Sequence, residues 1–580
     1  MNVTRREGAQ VVGLWLVLAA ARWLAALPVR QPRIFRDELL HWQLAQSFVT
    51  HRPFLVSGEV VDYPALLYPA LLSLGLHTGD AHLAFQLAHG LNALMLSAVV
   101  FFAYALGREL SDHRDAFAVA ALAGLAPGGG YSVFIMEENL YYPLFVLSCW
   151  LCWRVLVDGR ARDAAWCALA FGLTYFAKPL AVPLVAAYAG VVCLWAAVEL
   201  RTPQHARQRL AAIAVRLAPV MAFGAMLVVR HALTVRGADD TQSGVVLGRF
   251  YTDELGGPLL PPLGPMARVV LALIVAIAAG VAIAPVVALL GRWRARSADR
   301  RRLWLAMLTL CVAAVYVFAA ARHTMVINPI PKIHERYLFA VGPLFLALFL
   351  TSRAPSLGAA PIALASVALA AAVALLAESM LPMNTWVNAP SLTLPWLLYT
   401  KIPSRHALTV LAGAAVAVVC WGASSRERMH GTLRVGTLAA TLVMLNAAWY
   451  AFVYRMQRDL APLERTLHQV EALAPRDARI TLVVSATGEP MAALSQYGKF
   501  WLGERLTAYW TSAEKPAWYT DVRGDASEMV TRTRANYLVG LPGVEALCPR
   551  GVALPAPEPA DGLDVRVVAV PAGGCGAPAR

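Results

Sequence analysis

Two neighbouring carboxylates, Asp37 and Glu38, lie shortly after the first long apolar run of the chain. The residues that follow, 39–49, repeat apolar side chains at helical spacing, and Trp42 among them suits a membrane interface. An acidic pair at the start of such a helix can simply complement the helix dipole. It can also supply a general base, because proton abstraction needs a carboxylate with a defined place and raised basicity. The sequence leaves both interpretations open.

Four further motifs place polar side chains beside apolar runs: Tyr63 with Tyr68, Glu137-Glu138-Asn139, Lys178-Pro179, and Lys332-Ile333-His334-Glu335-Arg336-Tyr337. A lysine between apolar helices, such as Lys178, is costly in a membrane unless it reaches the interface or meets an anion. The basic stretch at 332–337 fits a membrane-anchoring belt as well as it fits a phosphate site. Each of these motifs therefore has a structural interpretation beside the chemical one.

The elements that must position these residues are membrane helices. The chain has 580 residues, of which 58% are hydrophobic and 15% charged, with a mean hydropathy of +0.56. A soluble domain usually has about 25% charged residues, so a purely water-soluble protein is excluded. Uncharged runs such as 269–290 are long enough to cross a bilayer. We predict thirteen spans, at 9–27, 84–106, 115–133, 140–157, 164–179, 180–198, 211–233, 267–290, 303–321, 337–351, 359–380, 406–422 and 433–453.

The basic residues predict the orientation of these spans. Lys and Arg concentrate in one set of alternate connections, most densely at 291–302, which predicts a cytoplasmic N-terminus and an extracytoplasmic C-terminus. This pattern also accounts for the net charge of +14, so we expect no nucleic-acid partner. The longer connections, which hold the acidic motifs, are then external. An external active face excludes cytosolic ATP or a nucleotide sugar as the energy source, since neither is present there.

The chain is expected to divide into a transmembrane domain, 1–454, and a small soluble extracytoplasmic α/β domain, 455–580. In the second part, residues 460–473 have the pattern of an amphipathic helix. Short Val-rich runs at 479–485, 537–541 and 565–570 are typical of strands. Cys548 and Cys575 are the two cysteines of this part, and an extracytoplasmic location would permit a disulfide between them. The sequence does not decide whether that disulfide forms.

Taken in order, the motifs resemble glycosyltransferase family 39. The resemblance is carried by Asp37-Glu38, Leu44-Ala45, Gly58, Tyr63-Pro64-Ala65-Leu66-Leu67-Tyr68, the segment from Gly172 to Pro179, and the segment from Arg336 to Pro343. That family includes the bacterial lipid A aminoarabinose transferases and, more distantly, the protein O-mannosyltransferases, and its fold is called GT-C. The thirteen predicted spans and the external C-terminal domain also resemble the aminoarabinose transferases.

Two departures from the family pattern affect the expected substrates. The family commonly has Lys-Pro-Pro before its first-loop Tyr-Trp, whereas here Asp62-Tyr63-Pro64-Ala65 lacks that lysine. The usual Thr-Asp at the start of the fourth span is replaced by Glu137-Glu138-Asn139. Both changes lie in regions expected to contact substrate. A lipid A acceptor or an aminoarabinose donor is therefore not carried over to this chain.

The resemblance implies an integral membrane glycosyltransferase of the cell (inner or plasma) membrane that takes a sugar from a polyprenyl phosphate on the extracytoplasmic face. It implies that Asp37, with Glu38 beside it, is the general base of a single inverting displacement. The leaving phosphate needs cations, for which the candidates are Lys178, Arg336, Lys332, His334 and Arg36. The candidates for substrate binding are Tyr63, Tyr68, Glu137, Glu138 and Asn139. Glu137 and Glu138 could also bind Mg²⁺ or Mn²⁺, although a metal requirement stays open.

Three other functions remain as alternatives. A polyprenyl-linked glycan ligase or polymerase also works externally, but its charges would more often be paired arginines in a late loop. A lipid-sugar flippase is less favoured because hydropathy shows no two-fold repeat. A non-catalytic relative would tolerate an alanine at position 37. The sequence names neither the sugar nor the acceptor, which could be a lipid, a glycan or a protein.

Overall fold

The computed structural model describes residues 4–33, 36–50, 55–56, 59–60, 62–200, 206–235, 261–281, 300–327, 334–351, 390–393, 428–475, 477–484, 490–502, 505–510, 522–523, 529–554, 565–572 and 575. The predicted spans 359–380 and 406–422 lie outside these residues, as does Lys332.

The first part of the chain is helical, apart from a short hairpin of β1 (Leu55–Val56) and β2 (Glu59–Val60). Its helices are α1 (Arg5–Ala26), α2 (Arg36–Thr50), α3 (Leu67–Leu76), α4 (Ala81–Ser97), α5 (Val99–Leu110), α6 (His113–Gly124), α7 (Glu138–Asp158), α8 (Ala161–Ala177), α9 (Ala181–Glu199), α10 (Ala206–Val235), α11 (Leu263–Gly280), α12 (Arg300–Ile327) and α13 (Gly342–Leu350). Short 3-10 segments lie at Pro127–Val133, Glu335–Tyr337, Phe339–Val341 and Pro390–Leu392.

Several of these helices are long and apolar enough to cross a membrane. Six such segments occur among the described residues, namely Arg5–Ala26, Ala81–Leu110, Glu138–Asp158, Ala181–Glu199, Arg207–Leu233 and Arg300–Val326. The bent pair His113–Gly124 and Pro127–Val133 would add a seventh if it forms one span. The chain is therefore a multi-pass membrane protein, while the predicted count of thirteen spans and their orientation stay predictions.

The break between α8 and α9 presents a cation to the interior of the helical part. Pro179 has no backbone N–H and disfavours helical geometry in the residue before it. Lys178 accordingly has extended backbone angles, φ −160° and ψ 130°, directly after α8 ends. Its side chain is 7% exposed, so the chain break buries an ammonium group between two apolar helices.

Three consecutive glycines bring the backbone of segment 127–133 very close to its neighbours. A Cβ atom added at Gly128 would lie 2.1 Å from the Phe339 ring, and one added at Gly130 would lie 2.1 Å from the Trp449 ring. No side chain fits in that space, so only glycine allows this approach. The segment thereby packs against the ring of Phe339, which precedes α13, and the ring of Trp449, which belongs to the last long helix. It leads directly into residues 134–138.

The last part of the chain carries a six-stranded sheet next to a very long helix, α14 (Arg428–Leu473). The strands are β3 (Ile480–Val484), β4 (Leu506–Trp510), β5 (Val522–Arg523), β6 (Tyr537–Gly540), β7 (Val552–Ala553) and β8 (Arg566–Ala569), and the helices among them are α15 (Pro490–Leu502) and α16 (Met529–Thr533). In the order β5-β4-β3-β6-β8-β7, the first four strands are parallel and the last two pairings are antiparallel.

The sheet and the helical part are joined by a shared helix and by aromatic contacts. Helix α14 runs through the predicted boundary at 454 without interruption, and its residues Leu467 and Val470 belong to the core beneath the sheet. Phe500 of α15 stacks on Trp42 of α2, with 4.7 Å between ring centres. Cys548 and Cys575 form a disulfide. Helix α15, which lies beside the sheet, therefore packs onto α2, the helix that carries Asp37.

Candidate active site

The two carboxylates at the start of α2 have different environments. Glu38 is fully buried, and its two oxygens accept hydrogen bonds from the backbone N–H groups of Arg33, at 2.9 Å, and Ile135, at 3.1 Å. The Asp37 side chain is 38% exposed, and its Oδ2 accepts a hydrogen bond from Nη1 of Arg336 at 2.7 Å. Asp37 can therefore reach a reactant, whereas Glu38 ties α2 to the segment before α7.

Lys178 lies between the two glutamates at the start of α7. Its Nζ is 2.5 Å from Oε1 of Glu138 and 3.0 Å from Oε1 of Glu137. The ammonium group also lies 5.1 Å from the centre of the Tyr337 ring. Two anions thus compensate the cost of burying this cation. The structure brings together the predicted residues of three separate motifs.

Arg336 connects this cluster to Asp37. Its Nε is 3.8 Å from Oε1 of Glu138, and its Nη2 donates a hydrogen bond to the Tyr337 hydroxyl at 3.3 Å. Burial alone would raise the pKa of Asp37, but the positive charges of Arg336 and Lys178 outweigh it and lower that pKa to about 2. In this arrangement Asp37 is ionised and is a weak base.

Glu137 has the opposite electrostatic environment. The Tyr63 hydroxyl donates to its Oε2 at 2.7 Å, so Tyr63 is placed in the cluster as well. Burial raises the pKa of Glu137 to about 7, and this effect exceeds the lowering by Lys178. A carboxyl group with this pKa exchanges a proton near neutral pH, in contrast to Asp37.

His41 is a site residue that the sequence interpretation did not include. It lies one helical turn after Asp37, is fully buried, and has its Nε2 3.7 Å from Oε2 of Glu137. Neither ring nitrogen has a hydrogen-bond partner among the described residues, and burial lowers the pKa of His41 to about 4. The signal that could have identified it is the spacing of four residues from Asp37, which puts both side chains on one helix face.

Two residues predicted to bind substrate, Tyr68 and Asn139, make hydrogen bonds inside the protein. The fully buried Tyr68 donates its hydroxyl hydrogen to Oδ1 of Asn92 at 2.9 Å. The buried amide of Asn139 donates to the carbonyl oxygens of Phe134, at 3.0 Å, and Met136, at 2.9 Å. Asn92 in turn donates to the carbonyl oxygen of Phe134 at 2.8 Å, so both Tyr68 and Asn139 support the segment that leads to Glu137. Their part in substrate binding stays a prediction.

Of the remaining predicted phosphate-binding residues, the side chain of His334 lies in the described part of the chain. His334 is buried and stacks on Tyr337, with 5.5 Å between ring centres and 12° between the ring planes. Arg36 begins α2, but its side chain lies outside the described part of the chain. Among the described candidates, Arg336 and Lys178 are the cations in contact with the carboxylates.

The two glutamates do not fit a divalent metal ion in this arrangement. Both bind the ammonium group of Lys178, whose positive charge would repel a cation at the same carboxylates. Within the described ranges, no group of three or more His, Cys, Asp or Glu side chains is arranged as metal ligands. We therefore derive no reaction step from a metal.

A further ion pair fixes the loop that carries Tyr63. Nη2 of Arg230, near the end of α10, is 2.5 Å from Oδ1 of Asp62. Arg230 was not predicted as a site residue, although an arginine within the apolar run 211–233 is itself a signal, because such a charge is costly there without a partner. The pair attaches the loop between α2 and α3 to α10 beside the carboxylate cluster.

Comparisons with known proteins show a match in fold. No protein-family model matches the sequence, and a search of curated proteins finds no match. The crystal structure of ArnT from Cupriavidus metallidurans bound to undecaprenyl phosphate superposes with a TM-score of 0.55 at 14% identity, covering 96% of this chain and 97% of that one. The apo state of the same protein gives a TM-score of 0.52 at 14% identity, covering 97% and 98%. The GT-C fold expected from the motifs is confirmed.

Proposed function

We propose that the protein is an integral membrane glycosyltransferase that moves a sugar from a polyprenyl phosphate to an acceptor hydroxyl on the extracytoplasmic face. The observation that carries this proposal is the pairing of Asp37, a partly exposed carboxylate, with Arg336 beside the buried Lys178 cluster. A carboxylate and an arginine at one point are the two groups that the reaction needs. The GT-C fold, seen in an ArnT structure that is bound to undecaprenyl phosphate, supports the same substrate class.

The proposed reaction is a single displacement with inversion at the anomeric carbon. The acceptor oxygen attacks that carbon while its proton passes to a carboxylate oxygen of Asp37. The bond between the anomeric carbon and the phosphate oxygen breaks, and its electron pair stays on the phosphate. Arg336, whose side chain is 11% exposed and bonded to Asp37, is proposed to bind the additional negative charge.

The other predicted residues are proposed to position Asp37, to add positive potential or to face the acceptor. Glu38 fixes the place of Asp37 through its two backbone hydrogen bonds. Lys178 holds Glu137 and Glu138 together, and it adds positive potential near the phosphate rather than binding it alone. Tyr63 and Glu137 are proposed to face the acceptor hydroxyl, since they are linked on the same side of the cluster as His41.

The test is mass spectrometry of the lipids that co-purify with the wild type and with Asp37→Asn. We expect a polyprenyl phosphate or its monosaccharide form, with the intact sugar-carrying donor enriched in the variant. Asp80→Asn is the matched control, because Asp80 caps α4 outside the cluster and asparagine caps equally well. It should retain the wild-type lipid pattern.

Two results would refute the proposal. Retention of the same pyrophosphate-linked glycan by wild type and Asp37→Asn would favour a glycan ligase, polymerase or flippase. Absence of every polyprenyl lipid, together with no binding of added undecaprenyl phosphate, would remove the donor class altogether.

A further inference from the structure

The proposed roles of Asp37 and Arg336 conflict in the arrangement observed. Asp37 must accept a proton, and Arg336 must bind the leaving phosphate, yet Oδ2 of Asp37 and Nη1 of Arg336 are bonded to each other at 2.7 Å. A carboxylate that is held by a guanidinium group has a reduced tendency to accept a proton. A guanidinium edge that is bonded to a carboxylate is not open to phosphate. Asp37 can accept a proton and Arg336 can bind phosphate only if the bond between them breaks first.

The contacts of Arg336 permit such a succession. Its Nε lies 3.8 Å from Glu138 and its Nη2 bonds to the Tyr337 hydroxyl, so these two sides of the guanidinium group face the protein interior. The Nη1 edge points to Asp37, the member of the cluster with a side chain 38% exposed. Lys178, by contrast, is already bound by two carboxylates. An anion that approaches the cluster therefore meets the Arg336–Asp37 pair first.

We propose that Arg336 exchanges partners during the reaction, holding Asp37 until the donor binds and then transferring its Nη1 edge to the donor phosphate. This inference rests on the proposed function and adds a control step to it. Loss of the Arg336 bond frees Asp37 to accept a proton at the moment when the donor is in place. An acceptor that enters the site without a donor meets an inactivated base.

The charges involved explain why the exchange would favour transfer. In the resting arrangement the charges of Arg336 and Lys178 hold the pKa of Asp37 down to about 2, far from neutral pH, while the nearby His41, with a pKa of about 4, is uncharged there. A general base is most effective when its pKa lies near the working pH. Once Arg336 is bound to phosphate, its positive charge no longer offsets the effect of burial, and the pKa of Asp37 rises. During transfer one negative charge disappears from Asp37 and one appears on the phosphate, where Arg336 already lies.

The test measures the affinity of the purified full-length protein for undecaprenyl phosphate in detergent by the change in tryptophan fluorescence. Asp37→Asn removes the carboxylate that competes for Arg336, so we expect about tenfold tighter binding, the equivalent of one hydrogen bond to a charged group. Asp80→Asn removes one negative charge elsewhere and should bind within about twofold of the wild type. Thermal unfolding of each variant checks that it is folded, and Asp37→Ser serves as a second variant with the same expected gain.

The possible outcomes separate the two proposals. If wild type binds the lipid and both Asp37 variants bind it equally or more weakly, the exchange of partners is wrong while the proposed function stands. If Asp80→Asn tightens binding as much as Asp37→Asn does, overall charge explains the gain and the exchange is again overturned. If neither wild type nor variants bind undecaprenyl phosphate, the proposed function itself fails.

Discussion

Replacement of Glu38 tests whether the second acid of the pair reacts or holds the site together. Its two oxygens accept hydrogen bonds from the backbone of Arg33 and Ile135, and it is completely buried. Glu38→Gln keeps one accepting oxygen, but it turns an NH₂ group toward the other backbone N–H. Glu38→Ala leaves both N–H groups without this partner.

The expected loss of stability follows from these two bonds. A hydrogen bond to a buried charged group contributes about 1.5–3 kcal/mol, so Glu38→Gln should lower the free energy of unfolding by about 2–3 kcal/mol. Glu38→Ala should lower it by about 3–6 kcal/mol, because both bonds are lost. Asp37→Asn should have a smaller effect, since water reaches its partly exposed side chain.

The assay is thermal unfolding in detergent, followed by the fluorescence of the 16 tryptophans, alongside sugar transfer. We expect Glu38→Gln to lose stability and transfer together, and Asp37→Asn to lose transfer with a smaller loss of stability than Glu38→Gln shows. If Glu38→Gln unfolds at the wild-type temperature but no longer transfers sugar, our reasoning is refuted, and Glu38 takes part in the chemistry.

Three further predictions concern pH, the disulfide and the glycine segment. Burial raises the pKa of Glu335 from 4.5 to about 8, so the folded state holds this proton more tightly than the unfolded chain, and stability should fall as pH rises from 4.5 to 8. Glu335→Gln should lack this pH-dependent loss of stability when unfolding is measured at pH 5 to 9. Equal pH dependence in the wild type and the variant would contradict the prediction. Cys575→Ser opens a disulfide with a sequence separation of 27 and should cost about 3–4 kcal/mol. A reductant should lower the unfolding temperature of the wild type similarly but leave the variant unchanged, and equal sensitivity of both would argue against the bond. Gly130→Ala forces a methyl group against Trp449 and should cost about 1–3 kcal/mol with loss of transfer, whereas a wild-type unfolding temperature would show that the segment can move aside.

The residues that the structure gathers in the candidate site could largely be singled out by residue type, whereas their contact partners could not. Asp37, Glu138, Lys178 and Arg336 stand out in the sequence because charge beside apolar runs needs a reason. Nothing in the sequence indicates that Arg336 pairs with a residue 299 positions earlier, since pairing depends on how the helices pack. His41 was missed although helical spacing places it beside Asp37.

The strands, too, could be predicted from the sequence only in part. The strands predicted at 479–485, 537–541 and 565–570 are observed as β3, β6 and β8, because continuous Val-rich runs are typical of buried strands. Strand β4, Leu506–Trp510, was missed because its residues, LTAYW, mix polar and apolar types without a clear period. Its neighbours in the sheet stabilise it, and a single sequence does not contain that information.

Helix α14 sets a fixed distance between two cores. Trp449 packs with Tyr131 and Phe134 in the helical part, while Leu467 packs beneath the sheet, and the positions 449 and 467 are about five helical turns apart. One inserted residue would turn the sheet by about 100° and lift it by about 1.5 Å, pulling Phe500 away from Trp42. Among distant relatives, the number of positions between these two anchors should therefore stay constant even where the residues themselves differ.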